Sequence, residues 1–74
     1  MVAVRLLHRK TLGKRLREYR KKAGLTQEEL GELSDLNPKY IGEVERAEKT
    51  ISVDKLVCLA TALKIQVRDL VRDF

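Results

Sequence analysis

Lys39, Glu43 and Arg46 fall at helical spacing, so that one face of a short helix would carry a donor, an acceptor and a second donor. Their chemistry is hydrogen bonding and charge, not bond breaking. A single His at position 8, a single Cys at position 58 and no Ser-His-Asp or paired-carboxylate arrangement supply no nucleophile with its base, so an enzyme is not expected. No acidic cluster has metal-ligand spacing, and one Cys cannot build a disulfide framework or a structural zinc site within a chain, so no metal and no cofactor are expected. Cys58 reads as a small packing residue, since no basic or His partner is set beside it.

The elements that must position these groups are legible from their ends. Thr26 stands before Gln27-Glu28-Glu29-Leu30, and a Thr followed three residues later by Glu is a capping box, so a helix starts at Gln27. Leu30 and Leu33 share its inner face, and Ser34-Asp35 favours a turn. Asn37-Pro38 then gives a second start, an N-cap followed by proline at the first helical position. Two helices joined by about three residues cross steeply, which is the helix-turn-helix arrangement whose second helix can enter the DNA major groove.

In that second helix Ile41 and Val44 point inward with Leu30, Leu33 and Leu36, leaving Pro38, Lys39, Gly42, Glu43 and Arg46 outward. Lys39 can donate to guanine O6 and N7, Glu43 can accept from a cytosine amino group, and Pro38 offers an apolar edge to a thymine methyl. Tyr40 lies at a flank, either as a packing residue with its hydroxyl toward a phosphate or as a contact in its own right. Asn37 is the N-cap, and its amide could also meet the sugar-phosphate backbone. Gln27 and Thr26 sit where free helix amides favour an anion. Arg46, Lys49 and Thr50 follow at the far end, placed to hold further phosphates, with Glu48 weakening the field among them.

The remainder reads as support. Residues 1–10 alternate small apolar and basic residues without a cap, and are compatible with a flexible arm, a helical extension or a short strand. From Thr11, Leu12, Leu16, Tyr19 and Ala23 recur at helical spacing, and Gly24 ends that helix with Leu25 folding back. Ser52 caps a fourth helix carrying Leu56, Leu59, Ala60 and Leu63 on one face. After Lys64-Ile65-Gln66, a last helix presents Val67, Leu70 and Val71. With Phe74 and Val57 these exceed what a small monomer needs to bury.

Leu25-Thr26-Gln27-Glu28-Glu29-Leu30, then Tyr40-Ile41 and Val44-Glu45-Arg46, then Leu56 to Leu63, resemble the Cro/C1-type (XRE) family of bacterial and phage repressors over about residues 12 to 71. The resemblance implies an all-α, compact five-helix lambda-repressor-like domain over residues 11–74, with the helix-turn-helix at about 26–46 and residues 1–10 as a basic arm or helix extension. It implies that Gln27 clamps a backbone phosphate, that Arg20 pairs with Glu45 as a structural salt bridge, and that the C-terminal helices form a homodimer. Arg20 also needs a partner on physical grounds, lying beside the apolar stripe; exposed, the pair would be worth only ~0 to 1 kcal/mol. Three departures are notable: Asp35 and Ala47 stand where the family often has glycine, and Gly31 where alanine is common.

Composition fits a polyanionic partner. The 74 residues carry net charge +5, but residues 1–24 alone hold nine Lys or Arg against Glu18, a net +8, leaving −3 elsewhere. No apolar run approaches the ~18 residues of a membrane span, and Met1 to Leu7 is too short for a signal peptide, so a soluble cytoplasmic protein is expected. The expected function is a sequence-specific DNA-binding transcriptional regulator, a dimer on a near-palindromic operator in double-stranded DNA. Small stand-alone types such as a restriction-modification controller or a Cro-like repressor match its size. The alternative is an antitoxin whose main partner is a toxin protein and whose DNA binding is autoregulatory.

Overall fold

Side-chain caps set where three of the helices begin. Thr26 Oγ1 accepts from the Glu29 amide at 3.0 Å while the Thr26 amide donates to Glu29 Oε1 at 2.9 Å, completing the capping box. Asn37 Oδ1 accepts from the Lys39 amide at 2.8 Å, and Ser52 Oγ from the Lys55 amide at 3.2 Å. The computed structural model describes residues 2–74, with side chains from His8 onward, as five helices: α1 (Val2–Lys22), α2 (Gln27–Ser34), α3 (Pro38–Glu45), α4 (Val53–Leu63) and α5 (Val67–Val71). No strand occurs among the described residues.

The first helix does not start at Thr11. It runs unbroken from Val2, taking up most of residues 1–10. At its other end Gly24 and Leu25 return amides to the carbonyls of Lys21 and Arg20, closing the turn into α2.

Leu12, Leu16, Leu30, Ile41, Val44, Leu56, Leu59, Ala60, Leu63 and Leu70 form the core, with every helix contributing. Leu16, Leu30, Ile41, Leu59 and Leu70 are fully buried, each stabilising the fold by about 1.5–3 kcal/mol through lost apolar contact with water. α1 packs on α3, α2 lies against α3 and α4, and α5 bridges α1 and α4. Two close approaches hold α3 in place. A Cβ at Gly13 would stand 2.5 Å from the Val44 carbonyl oxygen, and one at Gly31 would stand 2.7 Å from the Leu36 carbonyl and 3.0 Å from the Pro38 ring. The glycine at 31 that weakens α2 therefore lets the turn and the head of α3 sit flush against it.

Two apolar assignments from periodicity, and the packing role expected of Cys58, are corrected. Leu33 is 61% exposed, because α4 and α3 cover only the Leu30 and Ser34 side of α2. Ala23 lies past the last turn of α1 and is exposed, and Cys58 is free and exposed on α4 rather than packed. At the C-terminal end, the Arg15 NH1 donates to the carbonyls of Leu70 at 3.2 Å and Arg72 at 2.6 Å. The His8 ring stacks on Phe74 with centroids 4.6 Å apart, so the second turn of α1 and the segment after α5 are tied side by side.

Candidate nucleic-acid interface

The polar groups of the helix-turn-helix converge around one ion pair. Arg20 Nε donates to Glu45 Oε2 at 2.7 Å and its NH2 to Oε1 at 3.0 Å, with side-chain exposures of 10% and 4%. Arg20 NH1 also donates to the Leu25 carbonyl at 2.9 Å, tying the α1–α2 turn into the same contact. Hydrogen bonding to Glu45 raises the Arg20 guanidinium further above its ordinary range against the opposing cost of burial, with the charges of Glu45 and Glu28 adding to it. α1 is thereby fastened to the last turn of α3, whose direction sets the whole presenting face.

Gln27 joins this network. Its Nε2 donates to Glu45 Oε1 at 3.1 Å, so the residue at the head of α2 is held against the tail of α3 rather than swinging free. Thr26 and Asn37 are exposed and spend their side-chain oxygens on caps. The α2 N-terminus, with its unpaired amides, and the half-buried Gln27 amide lie together at one end of the face.

Along α3, Lys39 is exposed and Glu43 half-buried. Pro38 is half-buried against Gly31, so only part of its ring faces outward. Gly42 was expected outward and is instead buried, with the ends of Arg46 and Gln27 lying over its position. Tyr40 is drawn to the flank: its hydroxyl donates to the Thr50 carbonyl at 3.0 Å and the Lys55 ammonium sits 4.4 Å from the ring centroid. Burial, then the charge of Glu43, push the phenol up from its ordinary value. The hydroxyl thus anchors the loop that follows α3.

Beyond α3 the chain closes on Ala47, which takes a left-handed backbone (φ 63°) where the Glu48 amide reaches the Glu43 carbonyl at 2.8 Å and the Ala47 amide reaches Val44 at 3.0 Å. This turn carries exposed Glu48, Lys49 and Thr50 beside the face. Arg46 is exposed and engaged: its Nε donates to Glu48 Oε2 at 2.9 Å and its NH2 to Oε1 at 3.3 Å. Lys55 is a cation beside this loop that periodicity did not single out; its place in the first turn after the Ser52 cap was the available signal.

The fold that carries this face has close counterparts among known proteins. Residues 16–70 match the helix-turn-helix family HTH_3. The chain belongs to that family, the Cro/C1-type or XRE regulators. It is 43% identical over 56 residues to the control protein C.SmaI of Serratia marcescens, covering 76% of this chain and 67% of that protein. It is 38% identical over 61 residues to the immunity repressor protein of Bacillus phage phi105, covering 82% of this chain but 42% of the repressor. Among solved structures, the restriction-modification controller protein C.AhdI of Aeromonas hydrophila superposes with a TM-score of 0.82 at 45% identity, covering 84% of this chain and 94% of that one. The clp gene regulator ClgR of Corynebacterium glutamicum gives 0.83 at 38%, covering 86% and 82%. The family member described here is a DNA-binding transcriptional regulator, not an enzyme. Among the described residues, no group of His, Cys, Asp and Glu could hold a metal ion, and no helix is long and apolar enough to cross a membrane.

Proposed function

We propose that this chain reads a near-palindromic DNA operator as a two-fold dimer, as a controller protein of the restriction-modification kind. The observation that carries this is the exposed Lys39 at the head of α3, with the Thr26-capped start of α2 held through Gln27 against the tail of that helix and the exposed Lys49-Thr50 turn following it. Lys39 and Glu43 read base edges in the major groove, with the outer edge of Pro38 against a thymine methyl. Gln27, Thr26, Arg46, Lys49 and Thr50 hold phosphates and set register, with Asn37 and Tyr40 at the margin. Glu45 serves through Arg20 and Gln27 and touches no DNA.

Dimerisation through the C-terminal helices is supported by apolar groups left in water: Val53 is 73% exposed, Val57, one turn on along α4, 46%, and Phe74 47%. A two-fold pair would set two α3 helices roughly 34 Å apart, one turn of DNA. The same surface could hold a toxin protein, but the identity to two controller proteins along most of their length favours the operator reader.

Selection of bound sites from random duplex DNA, with stoichiometry on the winner, tests this. An inverted repeat bound by two chains is the expected result. Failure to enrich any site, together with a monomer that takes up a small protein partner instead, would replace it with the antitoxin function.

A further inference from the structure

Gly42 is buried in an unusual way. The nearest atoms to a Cβ built there are Arg46 NH1 at 3.0 Å and the Gln27 amide, Oε1 at 3.2 Å and Nε2 at 3.4 Å, all of them ends of side chains. At Gly13 and Gly31 the nearest atoms are backbone oxygens of a packed neighbour, so those glycines serve helix packing. Gly42 serves no such contact, and it sits within an eight-residue helix where alanine would be the better helix former.

Both side chains over Gly42 are held in place from elsewhere. Glu48 grips Arg46 through Nε and NH2, which leaves NH1 as the corner above Gly42. Glu45, itself gripped by Arg20, takes one proton of the Gln27 amide. Since both ends lie close to one point, NH1 and the amide are at most about 6 to 7 Å apart, a gap that one phosphate group can bridge with ordinary hydrogen bonds.

We infer that Gly42 is a positioning residue whose missing side chain lets Arg46 and Gln27 lie down together, as one two-donor seat for a single DNA phosphate. The seat joins the head of α2 to the tail of α3, so one phosphate fixes both helices of the motif at once. This rests on the DNA-binding function proposed above. A Cβ added at position 42 would press on Arg46 NH1 at 3.0 Å and on the Gln27 amide oxygen at 3.2 Å, shifting the ends of both side chains while meeting no core atom.

The experiment compares the wild type, Gly42→Ala, the pair Gln27→Ala with Arg46→Ala, and all three changes together. Each is measured for binding to the selected site and to an unrelated duplex at fixed salt, and for its unfolding midpoint. Gly42→Ala is expected to melt at or above the wild type yet bind both duplexes about tenfold more weakly, its base preference unchanged, as befits a displaced phosphate contact. In the chain already lacking Gln27 and Arg46 side chains, Gly42→Ala is expected to cost nothing more. A lowered midpoint would make Gly42 a packing glycine and overturn the inference. So would undiminished binding by Gly42→Ala, or a second tenfold loss in the chain without the two donors. A wild type that binds neither duplex would overturn the DNA-binding function and this inference with it, whereas a binding wild type matched by Gly42→Ala overturns this inference alone.

Discussion

Arg20 and Glu45, 25 residues apart in the chain, meet through two hydrogen bonds, Nε to Oε2 at 2.7 Å and NH2 to Oε1 at 3.0 Å, almost out of reach of water. Removing either partner strands the other charge. Arg20→Ala or Glu45→Ala is expected to lower stability by about 3–5 kcal/mol, while replacing both with apolar residues of similar size should cost much less. Urea unfolding of the single and double variants checks this. Equal losses in all three would mean that packing, not the stranded charge, sets the cost.

Lys39 and Gln27 should differ in kind. Lys39→Ala is expected to weaken binding to the selected site by about 1–3 kcal/mol and to relax one base position, whereas Gln27→Ala should weaken all sequences alike. Affinities on the selected site and on single-base variants separate the two. A uniform loss from Lys39→Ala would remove it from base readout.

Ala47 occupies a left-handed backbone at φ 63°, which costs an L-residue roughly 1 kcal/mol or more. Ala47→Gly is expected to relieve most of this, offset in part by the extra freedom of glycine in the unfolded chain, for a net gain of about 0.5–1 kcal/mol. The midpoint of chemical unfolding reports it. Asp35, left-handed at φ 58°, offers the same relief to a smaller extent, since Asp tolerates this region better than Ala.

The Glu48 carboxyl is held below the usual range, first by its hydrogen bond from Arg46 and against some desolvation, then by the charges of Arg46 and Lys49. A depressed carboxyl favours the folded pairing above its unfolded value and loses it as pH falls through the folded one. The Arg46–Glu48 contact should therefore persist at neutral pH and open only in acid. A carboxyl-detected NMR titration is expected to place Glu48 below the ordinary range of a glutamate, and bound DNA should raise it by adding negative charge nearby. A Glu48 midpoint that does not move on DNA binding would separate the residue from the interface.

Helix starts were legible because a cap is local chemistry: Thr26, Asn37 and Ser52 each answer an amide two or three residues away, whatever the rest of the chain does. The apolar faces were legible at their centres, at Leu16, Leu30, Ile41 and Leu59, and not at their edges. Periodicity gives the direction of a stripe but not how far a neighbouring helix covers it, which is why Leu33 emerged exposed and Gly42 buried. The partner of the Tyr40 hydroxyl was not legible for another reason: it is a loop carbonyl ten residues on, and a loop's path is written in no periodicity. Residues 1–10 offer no capping side chain, so the sequence carried no signal for where α1 begins.

The Arg15 clamp on the carbonyls of Leu70 and Arg72 bears on the order in which the molecule assembles. α5 has five residues, too few to persist as a helix in isolation, and its fastening lies more than fifty residues away on α1. Such a segment docks only after the helices beneath it have found each other. Arg15→Ala should accordingly speed unfolding while leaving the refolding rate nearly untouched, which makes α5 the latch of the fold rather than part of its nucleus.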